Sequence, residues 1–420
     1  MPILVWLRRD LRLADSPAIA AAATRSTAIV IVIIDDPRQT IAPTARRATA
    51  EAAAIAEITR DASKVGWRVD HRHGAPEIIL QSIAAETGAK TVLANEAIGD
   101  AREWRSDRAT KHALGAIGVV LTEYAHDAIR RGSETLPSSF LAPFPPNRVE
   151  GAESEAQRRL AVFLASLPHR HYARDMWKPG ADRVASSLLS IDLATGALAG
   201  DRALAETAAC ANRAGAYDRA TYAKFAARLQ LRRQFRQLFE DNMAGFPTSL
   251  TRESTPLAEH LLAAWRTGQT GVPMVDAAMR DLAETGWINF RLRQTVASFA
   301  LDLLALDPWD VGRTLAALFD DYDPAIHWPQ IFLQAGILAP ERGPRIINPV
   351  KQGRDLDPSE RYVRRWLLDL TALPAGFGHE PWRYPSWRGP RPIVDLVAAA
   401  RTARSRAPSK PANTAEPTLF

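Results

Sequence analysis

Residues Gly271 to Leu303, GVPMVDAAMRDLAETGWINFRLRQTVASFALDL, space two glycine turns, an Asp-Ala-Ala-Met-Arg helix and a tryptophan followed by two arginines in one short span. Pro273 stands where a helix can begin, since its missing N–H is one the first turn leaves unbonded. Asp276 falls in that turn, where a carboxylate meets the positive end of the helix dipole. Thr285-Gly286 ends the helix. From Trp287 a second helix is expected, with Val296, Phe299, Ala300 and Leu303 at the i, i+3, i+4, i+7 spacing of a buried face, and Arg291 and Arg293 flanking Leu292. The arginine stems can pack beside that face, while their guanidinium groups must find carboxylates, phosphates or a polar ring. Taken alone, the stretch also suits a surface helix with basic decoration.

A chain of 420 residues is too long for one core, so two domains are expected. With 46% apolar and 24% charged residues it has an ordinary globular composition. Cys210 is the single cysteine, which excludes a disulfide framework and a four-thiolate iron–sulfur cluster. The opening MPILVWLRRD lacks a basic region followed by a long apolar stretch, and no apolar run approaches the roughly 20 residues a bilayer requires. A cytosolic monomer, neither secreted nor membrane-spanning, is the expectation. A net charge of +6 and a pI near 9.6 suit a polyanionic partner, because Lys and Arg that neutralise phosphates release counterions. A GC-rich genome, which enriches arginine and alanine, would give the same balance without such a partner.

Along the first third, apolar runs at residues 3–6, 28–34, 67–69, 91–94 and 119–121 alternate with helical patterns at 16–23, 46–64, 76–87 and 102–116. This βαβ alternation predicts a doubly wound parallel sheet over residues 1–130. No GxGxxG follows the first strand, so a dehydrogenase is not expected. Pro137, Pro143, Pro145 and Pro146 mark residues 131–168 as an interdomain connection, a helical domain follows over 169–402, and the tail 403–420 is expected to be disordered. His71-Arg72-His73 and His169-Arg170-His171 each pair two imidazoles at i and i+2 without a third ligand nearby, so no metal site is predicted.

The stretch from Leu4 to Ala18, LVWLRRDLRLADSPA, resembles the opening of the photolyase/cryptochrome flavoproteins. Ile347-Asn348-Pro349-Val350-Lys351-Gln352-Gly353, Asp357-Pro358, Tyr362-Val363-Arg364-Arg365-Trp366-Leu367, His379-Glu380-Pro381-Trp382 and Pro392-Ile393-Val394-Asp395-Leu396 follow in that family's order. The resemblance spans most of residues 1–400 and implies an α/β domain, with or without an antenna chromophore, ahead of an all-α FAD-binding domain. Tyr172 and Ser186-Ser187-Leu188-Leu189-Ser190 are similar to the segment that holds the FAD diphosphate, where hydroxyls and helix-start N–H groups suit phosphate. Asp276, Met279, Trp287, Asn289, Arg291 and Arg293 would line the flavin. Arg293 would pair with a carboxylate of the run Asp320-Asp321-Tyr322-Asp323, and Asp321 and Asp323 would contact the flavin ring and ribose.

The resemblance further implies light-driven splitting of pyrimidine dimers in single- or double-stranded DNA, the cofactor carrying the chemistry on an extruded base. Three departures bear on that. Arg228-Leu229-Gln230-Leu231-Arg232 replaces a Glu-Leu-x-Trp-Arg segment that touches the lesion in repair enzymes. Arg228, Arg232 and Arg236 recur every four residues as one stripe, read either as a phosphate grip or as a solvated face. Phe290 and Gln294 stand where enzymes acting on (6-4) photoproducts carry a histidine pair, and neither does acid–base work. His327 falls near the position facing flavin N5, and Ile331 near the usual relay tryptophan. That makes His327 a candidate for setting the N5 protonation state, and Trp309 and Trp328 candidates for a rerouted relay or simple core residues. The other readings are a cryptochrome-type photoreceptor and a light-independent nucleic-acid-binding flavoprotein.

Overall fold

In a computed structural model of the chain, the residues described are 1–39, 41–126, 152–170, 172–179, 183, 185–242, 255–339 and 345–405. Internal contacts divide the chain into two compact units, each discontinuous in sequence. The first comprises Met1–His169, Ser187–Phe246 and Asp321–Ile326; the second comprises Arg170–Ser186, Pro247–Asp320 and His327–Phe420.

The first unit is built on five parallel strands, β1 (Ile3–Leu7), β2 (Ile29–Asp35), β3 (Arg68–His73), β4 (Thr91–Asn95) and β5 (Val120–Tyr124), in the order β3-β2-β1-β4-β5. In register, Val5 lies between Ile31 and Leu93. A central strand of a doubly wound sheet is covered on both faces, which is why β1 reads as the unbroken run ILVWL. Ile3, Val5 and Leu7 enter one core with α1 (Pro17–Ala23) and α2 (Ala45–Lys64), while Leu4 and Trp6 enter the other with α3 (Pro76–Thr87) and α4 (Ala101–Ala116). The caps are local chemistry: Pro17 follows an N-capping Ser16, Asp100 and Glu103 form a capping box on α4, and Gly88 ends α3 at φ +71. β3 outruns its apolar core of 67–69, carrying charged residues along the edge of the sheet.

The expected connection over 131–168 is corrected in its second half. Its prolines lie outside the described residues, but Ala152–Ser166 forms a helix, α5, that buries Ala156, Leu160, Phe163 and Leu164 at helical spacing. The domain boundary near 168 also shifts, because α7 (Ser190–Thr195), α8 (Gly200–Arg213) and α9 (Ala216–Asn242) belong to the first unit. The expected tail is helical to Ser405, in the last helix, and lies outside the described residues beyond it.

Two carboxylates dock α5, one of them buried. Glu57 of α2 accepts the N–H groups of Glu153 and Ser154, and Glu153 accepts those of Leu13 (2.8 Å) and Ala14 (3.1 Å). Burial, with the neighbouring Glu57 adding to it, pushes the Glu153 carboxyl up to about 7 from 4.5, against the opposing pull of those N–H groups and Arg12. Above pH 7 the folded chain must hold a partly buried charge that the unfolded chain leaves in water, so stability rises as pH falls from 8 toward 4.5. The step is worth roughly 3 kcal/mol. Melting curves of wild type and Glu153→Gln should therefore diverge by that amount across this range, with the variant flatter. Parallel pH dependences would remove Glu153 as the cause.

The second unit is helical: α6 (Tyr172–Asp175), α10 (Pro256–Arg266), α11 (Pro273–Thr285), α12 (Phe290–Ser298), α13 (Pro308–Leu318), the later residues of α14 (Pro324–Gln334), α15 (Pro349–Leu356), α16 (Arg361–Trp366) and α17 (Leu396–Ser405). Among the described residues no helix is long and apolar enough to cross a membrane, and no cluster of three or more His, Cys, Asp or Glu is placed to hold a metal ion.

Candidate functional site

In the second unit, α11 starts at Pro273 as expected, but two residues assigned to the flavin serve the helix itself. The Asp276 carboxylate accepts the Thr270 N–H (2.8 Å), the Thr270 hydroxyl (2.6 Å) and the Gly271 N–H (2.9 Å), closing the turn ahead of α11. Met279 is fully buried. Both side chains thus pack within the second unit, Asp276 at the start of α11.

Gly286 ends α11 at φ +67, and its carbonyl accepts the Asp320 N–H at 3.0 Å. A Cβ here would collide with the Asp320 carboxylate. Trp287 lies in this turn, and the second helix begins only at Phe290, capped by Asn289. Arg183, which sequence reading passed over, fixes the turn: one guanidinium nitrogen donates to Asp281 (3.0 Å), the Thr285 hydroxyl (2.6 Å) and the Trp287 carbonyl (3.0 Å). Its guanidinium carbon sits 5.0 Å from the Trp287 ring centroid. The Tyr362 hydroxyl donates to the other Asp281 oxygen at 3.0 Å. The only hint of Arg183 in the sequence was a cation just before the serine-rich segment.

Asn289 is fully engaged: its oxygen accepts the Leu292 N–H (3.0 Å), and its amide donates to the carbonyls of Trp177 (3.2 Å) and Lys178 (2.9 Å). Arg293 donates from Nε to the Ile288 carbonyl (2.9 Å) and lies 4.1 Å over the Phe319 ring. His327, 9% exposed, has Nε2 2.9 Å from the Gly312 carbonyl and its ring 6.1 Å from Phe319. Because a carbonyl only accepts, that bond puts the ring proton on Nε2 and makes Nδ1 an acceptor while the ring is neutral. Trp328 stacks with Phe332 (5.6 Å) and lies 4.5 Å from Trp309. Gly312 is the close approach that admits Trp328, whose ring a Cβ there would strike. The structure thus gathers Arg293, His327, Trp328 and Trp309 about the Gly286–Asp320 turn and the start of α13. After α12 the chain widens into a π-turn, Phe299–Leu303, in which Asp302 accepts from Ser298 (2.6 Å) and Gln334 (2.7 Å).

Tyr172 and Ser186 belong to the second unit; Ser187, Leu188, Ser190, Asp321 and Asp323 belong to the first. Tyr172 is buried, the Ser187 hydroxyl accepts the Leu189 N–H at 3.4 Å, and Leu188 is exposed at φ +54. A non-glycine residue held in the left-handed region is strained, a feature that clusters at ligand clamps.

In the first unit the arginine stripe of α9 departs most from its sequence reading. Arg232 and Arg236 are only 10% and 12% exposed, and both grip one oxygen of Asp323, at 3.3 and 2.7 Å. The other oxygen accepts the Ala325 N–H (3.0 Å) at the start of α14. Arg232 also donates to the Leu193 carbonyl (3.0 Å), and Arg47 of α2 donates to the carbonyls of Tyr322 and Ala194. Burial pushes the Asp323 carboxyl up, but Arg236 and Arg232, with Arg9 farther off, outweigh it and hold it below the ordinary value. Asp323 thereby anchors the start of α14. Arg228, Arg232 and Arg236 do not form an open face for DNA, because two of the three close on a buried carboxylate.

Residues 219–408 match the family model described as the FAD binding domain of DNA photolyase. Residues 3–138 match the model described as DNA photolyase. The chain belongs to the photolyase/cryptochrome family. It is 29% identical to a cryptochrome DASH of Natronomonas pharaonis, over 94% of this chain and 98% of that protein. It is 27% identical to the deoxyribodipyrimidine photo-lyase of Escherichia coli, over 93% of this chain and 95% of the other. Among solved structures, an archaeal photolyase from Sulfolobus tokodaii, described with two FAD molecules and a novel light-harvesting cofactor, superposes with a TM-score of 0.77 at 22% identity, covering 96% of this chain and 99% of that one. At that identity the likeness speaks for the fold.

Proposed function

We propose that this protein uses light and reduced FAD to split pyrimidine dimers in DNA. Within the second unit, the half-buried guanidinium of Arg293 suits the polar ring of the cofactor. When bound, reduced flavin supplies the excited-state electron; the chain's residues bind, orient and tune. The observation that carries the reading is His327 with its tautomer fixed by Gly312, because Nδ1 is then an acceptor suited to controlling protonation at flavin N5. Arg293 is proposed as a polar partner of the ring, with Asp320, placed at the Gly286 turn, joining it. Trp328 and Trp309, 4.5 Å apart, are proposed as the electron path, and an antenna chromophore is proposed for the sheet domain.

A photoreceptor of cryptochrome type is the second reading. It is favoured by Arg228 and Leu231 in place of lesion-contacting groups and by Phe290 and Gln294, which cannot move protons. The test is to purify the protein, record its flavin absorption and illuminate it with UV-damaged oligonucleotide. Loss of dimers supports repair; photoreduction without loss of dimers establishes the photoreceptor instead. Arg293→Ala should lose most of its flavin, and full occupancy in that variant would overturn the assignment of Arg293.

A further inference from the structure

The indole N–H of Trp309 is buried and has no hydrogen-bond acceptor among the described residues, although the ring as a whole is only half-buried. A buried donor without a partner is rare enough to need a reason. The carboxylates nearest to it along the chain are engaged elsewhere. Asp307 accepts the backbone N–H groups of Trp309 (2.8 Å) and Asp310 (3.4 Å), and Asp310 lies 3.8 Å from Arg313. The ring itself meets Trp328 at 4.5 Å and Phe332 at 5.1 Å, with the Arg313 guanidinium carbon 5.9 Å from its centroid. All of these residues belong to the second unit.

We infer that Trp309 ends the path from Trp328 as a hole carrier that keeps its proton, so that the charge separated by light runs back unless a soluble reductant intervenes. The inference rests on the electron path proposed above and adds to it the fate of the hole at its far end. The oxidant is the light-excited oxidised flavin. One electron passed from Trp309 to an oxidised Trp328 restores Trp328 and leaves Trp309 as a radical cation. Such a ring sheds its Nε1 proton readily to water or a base, and that loss is what makes the transfer irreversible. Here the N–H bond stays intact, because no acceptor is in reach and the atom is closed to solvent. Arg313 works in the same direction: a guanidinium attracts the face of a neutral indole and repels it once the ring is positive. Asp310, 44% exposed and paired with Arg313, offsets only part of this, since solvent screens it. The electron therefore returns by the way it came, and lasting reduction of the cofactor requires a soluble one-electron donor at the half-buried ring.

The test is flash illumination of the oxidised, flavin-loaded protein without added reductant, following the visible absorption of wild type and Trp309→Phe in ordinary and heavy water. The part of the signal lost in Trp309→Phe should carry the spectrum of a protonated tryptophan radical. It should decay as oxidised flavin recovers, at one rate in both solvents. Arg313→Gln removes the cation at a side chain that is 51% exposed and should lengthen that decay about three-fold. A neutral-radical spectrum, or a decay that slows in heavy water, would overturn the inference and leave the path itself in place. Tryptophan radicals identical in wild type and Trp309→Phe would remove the path and the inference with it. Dimer splitting by reduced flavin is measured separately and survives either result.

Discussion

Replacing Asp323 by Ala is expected to destabilise the protein by roughly 3–5 kcal/mol, the loss typical of removing one partner from a buried ion pair. The carboxylate is 5% exposed and meets Arg232 and Arg236 at 3.3 and 2.7 Å, so its removal takes away a counter-charge that two largely buried guanidinium groups share. It also uncaps α14, the helix that carries His327 and Trp328. Asp323→Asn keeps the cap acceptor and loses the charge, so it separates the two contributions. The sign with pH follows from a carboxyl held below its ordinary value. Its contribution is complete above about pH 4, the unfolded value, and is lost as pH falls through the lower folded value. Chemical denaturation of wild type and both variants at neutral pH checks this. An Asp323→Ala protein within 1 kcal/mol of wild type would mean, by the same principle, that the arginines find other counter-charges.

Gly286→Ala is expected to empty the flavin site. Two effects combine there: an Ala at φ +67 is strained by about 1–2 kcal/mol, and its methyl group enters the space of the Asp320 carboxylate. Gly88→Ala isolates the first effect, because Gly88 has φ +71 and nothing within 4 Å of its added Cβ. The Gly88 variant should lose only the strain energy and keep its flavin, while the Gly286 variant should lose both stability and most of its FAD. Absorbance ratios of flavin to protein decide it. Equal flavin content in the two variants would detach Asp320 from the cofactor.

How much could be read in advance depended on how local the cause was. The run ILVWL, the Ser16-Pro17 start and the Gly88 and Gly286 stops act within a few residues, and the sheet and its helices fall where those signals put them. The helix at Ala152–Ser166 was hidden by the prolines preceding it. Arginines four apart on α9 look alike whether they face solvent or a carboxylate, and Asp323 lies 91 residues beyond Arg232. Arg183 escaped notice because its three partners converge only after the Gly286 turn has formed. The π-turn after Ser298 breaks the spacing of Val296, Phe299, Ala300 and Leu303 without any glycine or proline to announce it.

The short piece Asp321–Ile326 belongs to the unit that begins at Met1. A ribosome must therefore reach Ile326 before that unit can close. Until then the nascent sheet and α9 carry Arg232 and Arg236 without the anion that neutralises them. Biogenesis of the N-terminal half is thus tied to late translation, and an early stop codon that spares every strand would still release an unfinished product.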